Sequence, residues 1–563
     1  MAEPNVRPDV EASPTLSVKQ ASLSASAGAS AVLDSAHVGD IEGAFGRIRL
    51  DATDQGRTLK TRLMTLLAIV GPGLIVMVGD NDAGGVATYS QAGQNYSYSL
   101  LWVLLLLIPV LIVNQEMVVR LGAVTGVGHA RLINERFGRG WGWFSVGDLF
   151  LLNFLTIVTE FIGISLAAGY FGVSKYIVVP ISAVALVAIM ASGSFRRWER
   201  AMFAFIAIIL LQIPMLLLSH PQWGEAARNF VVPGIKGGLT SDAVLLIIAI
   251  VGTTVAPWQL FFQQSNIVDK RITPRFIGYE RADTTIGAFV VVIGAAALVM
   301  TADWASRSTG HATDFVDAGA MARLLAQHSS ALGWLFAIVL LDASIIGAAA
   351  VTLSTSYAFG DVFGLKHSLH RGFSDAKEFY FSYTGMVAAA AAIVLIPGAP
   401  LGLITTAVQA LAGLLLPSAS VFLLLLCNDR EVLGPWVNRR WLNIVAGFIV
   451  TTLLLLSGIL MATTLFPDVN VVNVTEYLVV GIVIGVILAL GTLKWLERRH
   501  GPQPVPPPLP VGMDKTQWRM PRLALLDPVK WSAGTKLGML ALRGYLVVGA
   551  VLLVVKAVQL GSH

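Results

Sequence analysis

The stretch Gly79-Asp80-Asn81-Asp82-Ala83-Gly84-Gly85 decides how this chain folds, because it puts acid inside an apolar segment that runs from about 64 to 92. Carboxylates at membrane depth are costly, and where they persist they mark an ion or substrate path. The small residues after Asp82, two of them glycine, let a helix unwind. Unwound backbone is tolerated in a bilayer only where it is buried in protein or lines a cavity. A helix broken at an acid is what an oxygen-ligand cation site in a transporter needs.

The rest of the 563-residue chain fits a membrane setting. It is 55% hydrophobic and 13% charged, with mean hydropathy +0.71, which excludes an ordinary soluble domain. Cys427 is the single cysteine, so there is no internal disulfide framework. It reads as a small apolar filler. Residues 1–60 are rich in Ala, Ser and polar groups without an apolar signal core, and they predict a disordered cytoplasmic tail.

Apolar stretches long enough to span lie at 64–92, 99–119, 142–170, 174–193, 201–219, 242–266, 283–302, 331–359, 379–397, 401–427, 441–465 and 474–493. A further candidate at 544–560 contains Lys556 and follows a Pro-rich linker at 502–510. The predicted organisation is a transport core at 61–427, accessory spans at 428–495, and a linker with the thirteenth apolar segment at 496–563. With the N-terminus in the cytoplasm, loops on that side carry 17 basic residues against 5 opposite, the bias that sets orientation.

Span 6 is interrupted as well: Gly252-Thr253-Thr254-Val255-Ala256-Pro257-Trp258 places a proline mid-span, and Pro257 has no N–H to give. Such a proline alone often serves only a packing kink. Five spans after the acidic break, it points instead to an inverted-repeat transporter with its site between the two interruptions. An odd repeat length also reverses topology between the halves. The expected fold class is therefore an all-α polytopic membrane protein of two inverted five-helix repeats, with unwound helices 1 and 6 and extra C-terminal helices.

At these residues a family becomes recognisable. Gly71-Pro72-Gly73 followed by Asp82-Ala83-Gly84-Gly85-Val86-Ala87-Thr88 resembles the first helix of the Nramp divalent-metal transporters, whose pattern there is Asp-Pro-Gly-Asn. Leu121-Gly122-Ala123-Val124-Thr125-Gly126 resembles its span 2–3 loop, and the span 6 stretch resembles its sixth helix, which ends Met-Pro-His. Gln409, Pro417 and Asn428-Asp429-Arg430 resemble its tenth. The resemblance covers about 60–465 and implies the LeuT-type fold with a metal site between helices 1 and 6.

The departures bear on chemistry. By resemblance, Asp82 is the metal-binding Asp, while Gly85 stands where the family has Asn, Ala256 where it has Met, and Trp258 where it has His. Gly79 and Thr253 fall where the family offers carbonyls freed by unwinding, and Gln409 matches a Gln that approaches the metal. Asp80 is an extra acid, read equally as a ligand or as a solvated mouth residue. Thioether suits softer metals, whereas carboxylate, carbonyl and water suit Mg, Ca and Mn. Mg²⁺ dehydrates reluctantly and keeps several waters beside one or two carboxylates. The pattern looks like the Nramp-related magnesium transporter branch, with Mg²⁺, and also Mn²⁺, as the transported substrate.

On the third helix the family carries an Asp and a Glu one turn apart. Here Ile157 takes the first place and Glu160 the second. Glu160 is read as an outer carboxylate for hydrated metal. All nine histidines lie in tails, loops or span ends, which leaves no imidazole relay at membrane depth. The reading is import of a partly hydrated divalent cation by alternating access without proton coupling; the alternative is a proton-coupled Mn²⁺/Fe²⁺ symporter of the ordinary Nramp type. The other buried acids, Glu116, Asp148 and Asp342, read as interhelical pairing groups. No phosphate-binding loop is present to run a primary pump, and neither an enzyme activity nor a cofactor is expected. The expected partners are the metal substrate and the lipid bilayer, with no nucleic acid; the expected location is a bacterial inner membrane.

Overall fold

The computed structural model describes residues 35–49, 58–309, 315–399, 401–466, 470–481, 483–484, 514–526 and 538–545, with isolated residues between 529 and 551. The chain is built from helices: α1 Leu59–Ile69, α2 Pro72–Val78, α3 Ala83–Tyr96, α4 Leu101–Thr125, α5 His129–Phe137, α6 Arg139–Tyr170, α7 Lys175–Met190, α8 Phe195–Ile209, α9 Gln212–Leu218 and α10 Trp223–Val231. It continues with α11 Ser241–Thr254, α12 Pro257–Asp269, α13 Ile277–Thr309, α14 Ala318–His328, α15 Ser330–Phe363, α16 Lys377–Leu395, α17 Leu401–Asn428, α18 Arg430–Leu433 and α19 Arg440–Leu465. Among the described residues, eight helices are long and apolar enough to cross a membrane, and nine if the bent pair α1–α2 counts as one. The expected all-helical, LeuT-type membrane architecture is what the chain adopts.

The first span is broken twice rather than once. Pro72 starts α2 after Gly71, whose φ of 157° suits a residue without a side chain, and the axis turns by 52° there. Two buried charged groups satisfy the exposed helix ends. Lys270 donates to the carbonyls of Ile69 at 2.6 Å and Val70 at 3.0 Å, and to Glu199 at 2.6 Å. Asp283 accepts from the N–H groups of Gly71 at 3.0 Å, Gly73 at 2.7 Å and Leu74 at 3.2 Å. Cation on a C-terminus and anion on an N-terminus is the arrangement the helix dipole favours.

α15 packs along α6, and both α3 and α12 pack against them, so the two broken spans are enclosed by unbroken ones. α13 lies against α2, α3 and α4.

The tail predicted as disordered over 1–60 is ordered in part. Residues 41–43 and 46–48 form an antiparallel hairpin, β1 Ile41–Gly43 and β2 Gly46–Ile48. Ile41 and Ala44 are buried, and the hairpin glycines lie against Ala68 of α1. Ala44 N–H donates to Glu199 and Arg200 donates to Ala44 O at 3.0 Å. This contact was illegible from composition because it depends on groups more than 150 positions away. Residues 1–34, the Pro-rich linker at 502–510 and most of the 544–560 segment lie outside the described residues. Segment 514–526 returns to the body: Trp436 Nε1 donates to Lys515 O at 3.0 Å and Met520 N–H to Val124 O at 3.3 Å.

Candidate functional site

The acidic break spans 79–82. Gly79 closes α2 through Ile75 O at 2.9 Å, the N–H groups of Asp80 and Asn81 make short-range turns to Met77 O and Val78 O, and Asn81 Nδ2 donates to Val291 O at 3.2 Å. Asp82 then caps α3: its backbone is extended, and its Oδ1 accepts from Gly85 N–H at 2.7 Å. A carboxylate at an N-cap satisfies an otherwise orphaned N–H. Glu160, reaching across from α6, accepts from the first N–H of the helix, Ala83 N–H, at 3.1 Å. Two carboxylates from distant segments therefore meet at one helix end.

The second break is built differently. Thr254 ends α11, Val255 and Ala256 are extended, and Pro257 begins α12. Thr254 Oγ1 donates to Ile250 O at 2.6 Å and lies 2.7 Å from Tyr89 OH on α3, which ties the two broken spans together. Gln259 Nε2 donates back to Thr254 O at 3.3 Å across the gap.

All the described site residues are buried: Asp80 0%, Asp82 4%, Glu160 0%, Thr253 3%, Ala256 7% and Trp258 1% exposed. Several of their oxygens have no donor. Both carboxylate oxygens of Asp80, Oε1 of Glu160, Oδ1 of Asn81 and Oγ1 of Thr253 are buried without a hydrogen-bond partner. Buried polar atoms are nearly always satisfied, so a group of unfilled acceptors calls for a cation or a donor. No ion pair to Asp80, Asp82 or Glu160 occurs among the described residues. Nor, among those residues, do three or more His, Cys, Asp and Glu side chains converge into a resident metal cluster. Asp82 and Glu160 supply two carboxylates at most; hydroxyl, carbonyl and water oxygens must complete any coordination shell.

Two glycines set the room available. A methyl group on Gly85 would stand 2.9 Å from Asp80 O and 3.5 Å from Asp82 Oδ1. Gly85 therefore does more than widen a cavity: it lets α3 start against the carbonyl of the break. Gly347 on α15 was not recognised in the sequence. A methyl there would stand 2.8 Å from Glu160 Cδ and Oε2 and 2.9 Å from Asp82 Cβ. A glycine in a membrane helix leaves no mark that separates such a role from helix packing, so only the fold assigns it.

Ala256 is buried at the second break. A cleft lined by Ala83, Ala87, Gly163 and Thr405 holds about 10 Å³, about the room one water needs. Trp258 packs against the first broken span: its ring end would lie 3.4 Å from a methyl on Gly79, and its carbonyl accepts from Ser354 Oγ at 2.9 Å. Gln409 lies on α17, but its side chain is outside the described residues. Asp148 accepts from Ser418 Oγ at 3.0 Å and Glu116 pairs with Arg281 of α13 at 2.5 Å, the interhelical roles expected of them, while Glu116 also pairs within its own helix with Arg120 at 3.1 Å. Asp342 is different: both its carboxylate oxygens are buried without partners.

Two broken spans facing one another inside a shell of intact helices define a secondary membrane transporter of the LeuT-type fold. The chain belongs to the Nramp family: the profile described as natural resistance-associated macrophage protein-like matches residues 73–463. It is 29% identical over 403 residues to the divalent metal cation transporter MntH of Burkholderia ambifaria, covering 69% of this chain and 87% of that one. It is 27% identical over 428 residues to MntH of Latilactobacillus sakei, covering 71% and 90%. The crystal structure of the Eremococcus coleocola manganese transporter superposes with a TM-score of 0.61 at 22% identity, over 79% of this chain and 96% of that one. At that identity the likeness shows the shared fold alone. These relatives are named as transporters, not enzymes.

Proposed function

We propose that this protein carries divalent metal cations across the membrane, Mg²⁺ foremost and Mn²⁺ as well, into the cytoplasm by alternating access, with the ion partly hydrated and no proton coupling. The observation that carries the reading is the set of donor-free buried oxygens on the residues of the two breaks and on Glu160, in break stretches (79–85 and 252–258) that hold no sulfur or imidazole. Hard oxygen ligands suit Mg²⁺ and Mn²⁺, and the few carboxylates leave coordination places for water. Ala256 and Trp258 stand where a thioether and an imidazole would favour softer metals. Voltage supplies the drive: two positive charges entering down a potential of about 100 mV, negative inside, gain about 4.6 kcal/mol. The N-terminus, the hairpin and segment 514–526 then lie on the cytoplasmic side, the side the basic loops select.

The second reading, a proton-coupled Mn²⁺/Fe²⁺ symporter, is favoured by one observation. Glu160 keeps a donor-free oxygen, Oε1, while its other oxygen holds the helix end that Asp82 caps, so a proton at Glu160 would sit one residue from the metal. Flux into proteoliposomes with Mg²⁺, Mn²⁺ and Ca²⁺, followed by an internal pH dye, separates the two. Mg²⁺ uptake with a flat pH trace supports the first. Mn²⁺-selective uptake with internal acidification overturns it in favour of the second.

A further inference from the structure

One face of α12 is polar from the second break onward. Gln259, Gln263 and Asn266 follow one another at four and three positions, the spacing of a single helix face, and all three are fully buried. Amide side chains at membrane depth either tie helices together or line a path. Hydrogen bonds separate the two roles here. Gln259 ties helices: its Nε2 donates to Thr254 O at 3.3 Å, and its Oε1 accepts from Gln115 Nε2 of α4 at 3.4 Å. Gln263 is half engaged, donating from Nε2 to Thr284 Oγ1 of α13 at 2.9 Å while its Oε1 has no donor. Asn266 has no partner at Nδ2 or Oδ1 among the described residues. The amides are thus less satisfied the nearer they stand to the α12–α13 turn, the end read above as cytoplasmic.

A carboxylate joins them there. From the contact between Gln263 and Thr284, Asn266 on α12 and Glu280 on α13 each lie one helical turn nearer the connecting turn, on the same faces as the two residues in contact. Glu280 is fully buried, and neither of its oxygens has a hydrogen-bond partner among the described residues. The charged groups around it are spent elsewhere. Lys270 gives its three N–H groups to Ile69 O, Val70 O and Glu199. Glu199 also accepts from Ala44 N–H, and both oxygens of Asp283 accept from the N–H groups at the start of α2. Of these three carboxylates only Glu280 is left without a donor, beside amide oxygens that have none either. Buried acceptors in such a group are costly unless a cation or water serves them.

We propose that Glu280, with Asn266 Oδ1 and Gln263 Oε1, forms a second station for a divalent cation, between the Asp82 site and the cytoplasm. One carboxylate and two amide oxygens are hard donors that leave most of the coordination shell to water, the manner in which Mg²⁺ is held by proteins. A single carboxylate grips an ion loosely enough to pass it on, as conduction through successive sites requires. α2 covers the group: a methyl on Gly73 would stand 2.8 Å from Thr284 Oγ1. Movement of α2 away from α13 opens the station to water. Its place on an exit path rests on the transport reading; its affinity for the metal does not.

The test is titration of the full chain in detergent with Mn²⁺, the free ion being counted by its electron paramagnetic resonance signal. The natural chain is expected to bind two ions and Asp82→Asn one. In Asp82→Asn/Glu280→Gln the affinity of that remaining site should fall about tenfold or more, the cost of a lost charged ligand. Asp148→Asn, a buried acid held by Ser418 away from the station, should still bind two. Undiminished binding in Asp82→Asn/Glu280→Gln overturns the proposal, as does a natural chain that binds one ion and loses it in Asp82→Asn. Where Glu280→Gln does not remain monodisperse, Asp82→Asn/Asn266→Leu decides: weakened binding supports the station, and unchanged binding overturns it. Two ions retained by Asp82→Asn would contradict the Asp82 site and leave the Glu280 station to its own variant, so the two failures are distinct.

Discussion

Glu160 and Asp82 hold the first turn of one helix between them: Glu160 Oε2 accepts Ala83 N–H at 3.1 Å, and Asp82 Oδ1 accepts Gly85 N–H at 2.7 Å. Each carboxylate thereby has one oxygen committed to the backbone. The free N–H groups of a helix start favour negative charge, so the arrangement steadies two acids in a buried place without a basic side chain.

This pairing separates capping from charge at Asp82. Asp82→Asn keeps an oxygen that accepts from Gly85 N–H, whereas Asp82→Ala does not. Both substitutions are expected to abolish metal flux. Only Asp82→Ala should also lose about 1 kcal/mol of stability, the usual cost of a missing N-cap. Proteoliposome flux read beside thermal unfolding checks both, and normal uptake by either variant would contradict the site.

Glu160→Gln preserves the acceptor for Ala83 N–H and removes the charge. Under uncoupled transport, metal affinity should fall several-fold, on the scale of a lost ionic contact of about 1–2 kcal/mol, while the internal pH trace stays as flat as in the natural protein. A proton signal present before the substitution and lost after it would refute uncoupled transport.

Gly347 tolerates no side chain while Glu160 stays in place. Gly347→Ala is expected to cost about 1–3 kcal/mol from overpacking and to impair uptake. Shortening the opposing group in Gly347→Ala/Glu160→Asp should recover part of the stability. Additive losses in the double variant would place the strain elsewhere.

Selectivity should respond at Ala256 more cleanly than at Gly85. Ala256→Met offers a thioether and is expected to raise Mn²⁺ uptake relative to Mg²⁺. Gly85→Asn brings a side chain within 2.9 Å of the Asp80 carbonyl and should lower stability before it alters preference. Competition flux with the two metals, read against the melting temperature, distinguishes the effects; an unchanged ratio in Ala256→Met would move selectivity away from helix 6.

His129, in the loop helix α5, supplies a pH dependence. Its ring is buried and lies 2.8 Å from Gln264 Oε1, and burial lowers its pKa to about 4. The unfolded chain titrates near 6.5, so it binds the proton first as pH falls. Stability from this group is full above that value and declines as the pH drops from about 6.5 towards 4. Melting curves of His129→Gln against the natural chain over that window should converge at the acid end. A constant difference would exclude the effect.

The chain order alone determined the class of the molecule. Long apolar runs cannot stay in water, basic loops alternate with them, and the acid at 79–85 and the proline at 257 interrupt two spans five apart. Asp82, Asp80 and Thr253 were legible as candidate site residues because acids and breaks at membrane depth are costly. Tertiary structure decided what those residues face. The additional break at Gly71, held by Lys270 and Asp283, the packing of Trp258 against Gly79, the clearance at Gly347 and the ordered hairpin all depend on groups that approach across tens to hundreds of positions. Helical pattern reports which residues share a face; it carries no information about which distant face lies against them, and contact distance decides whether a buried oxygen finds a proton, a metal or neither.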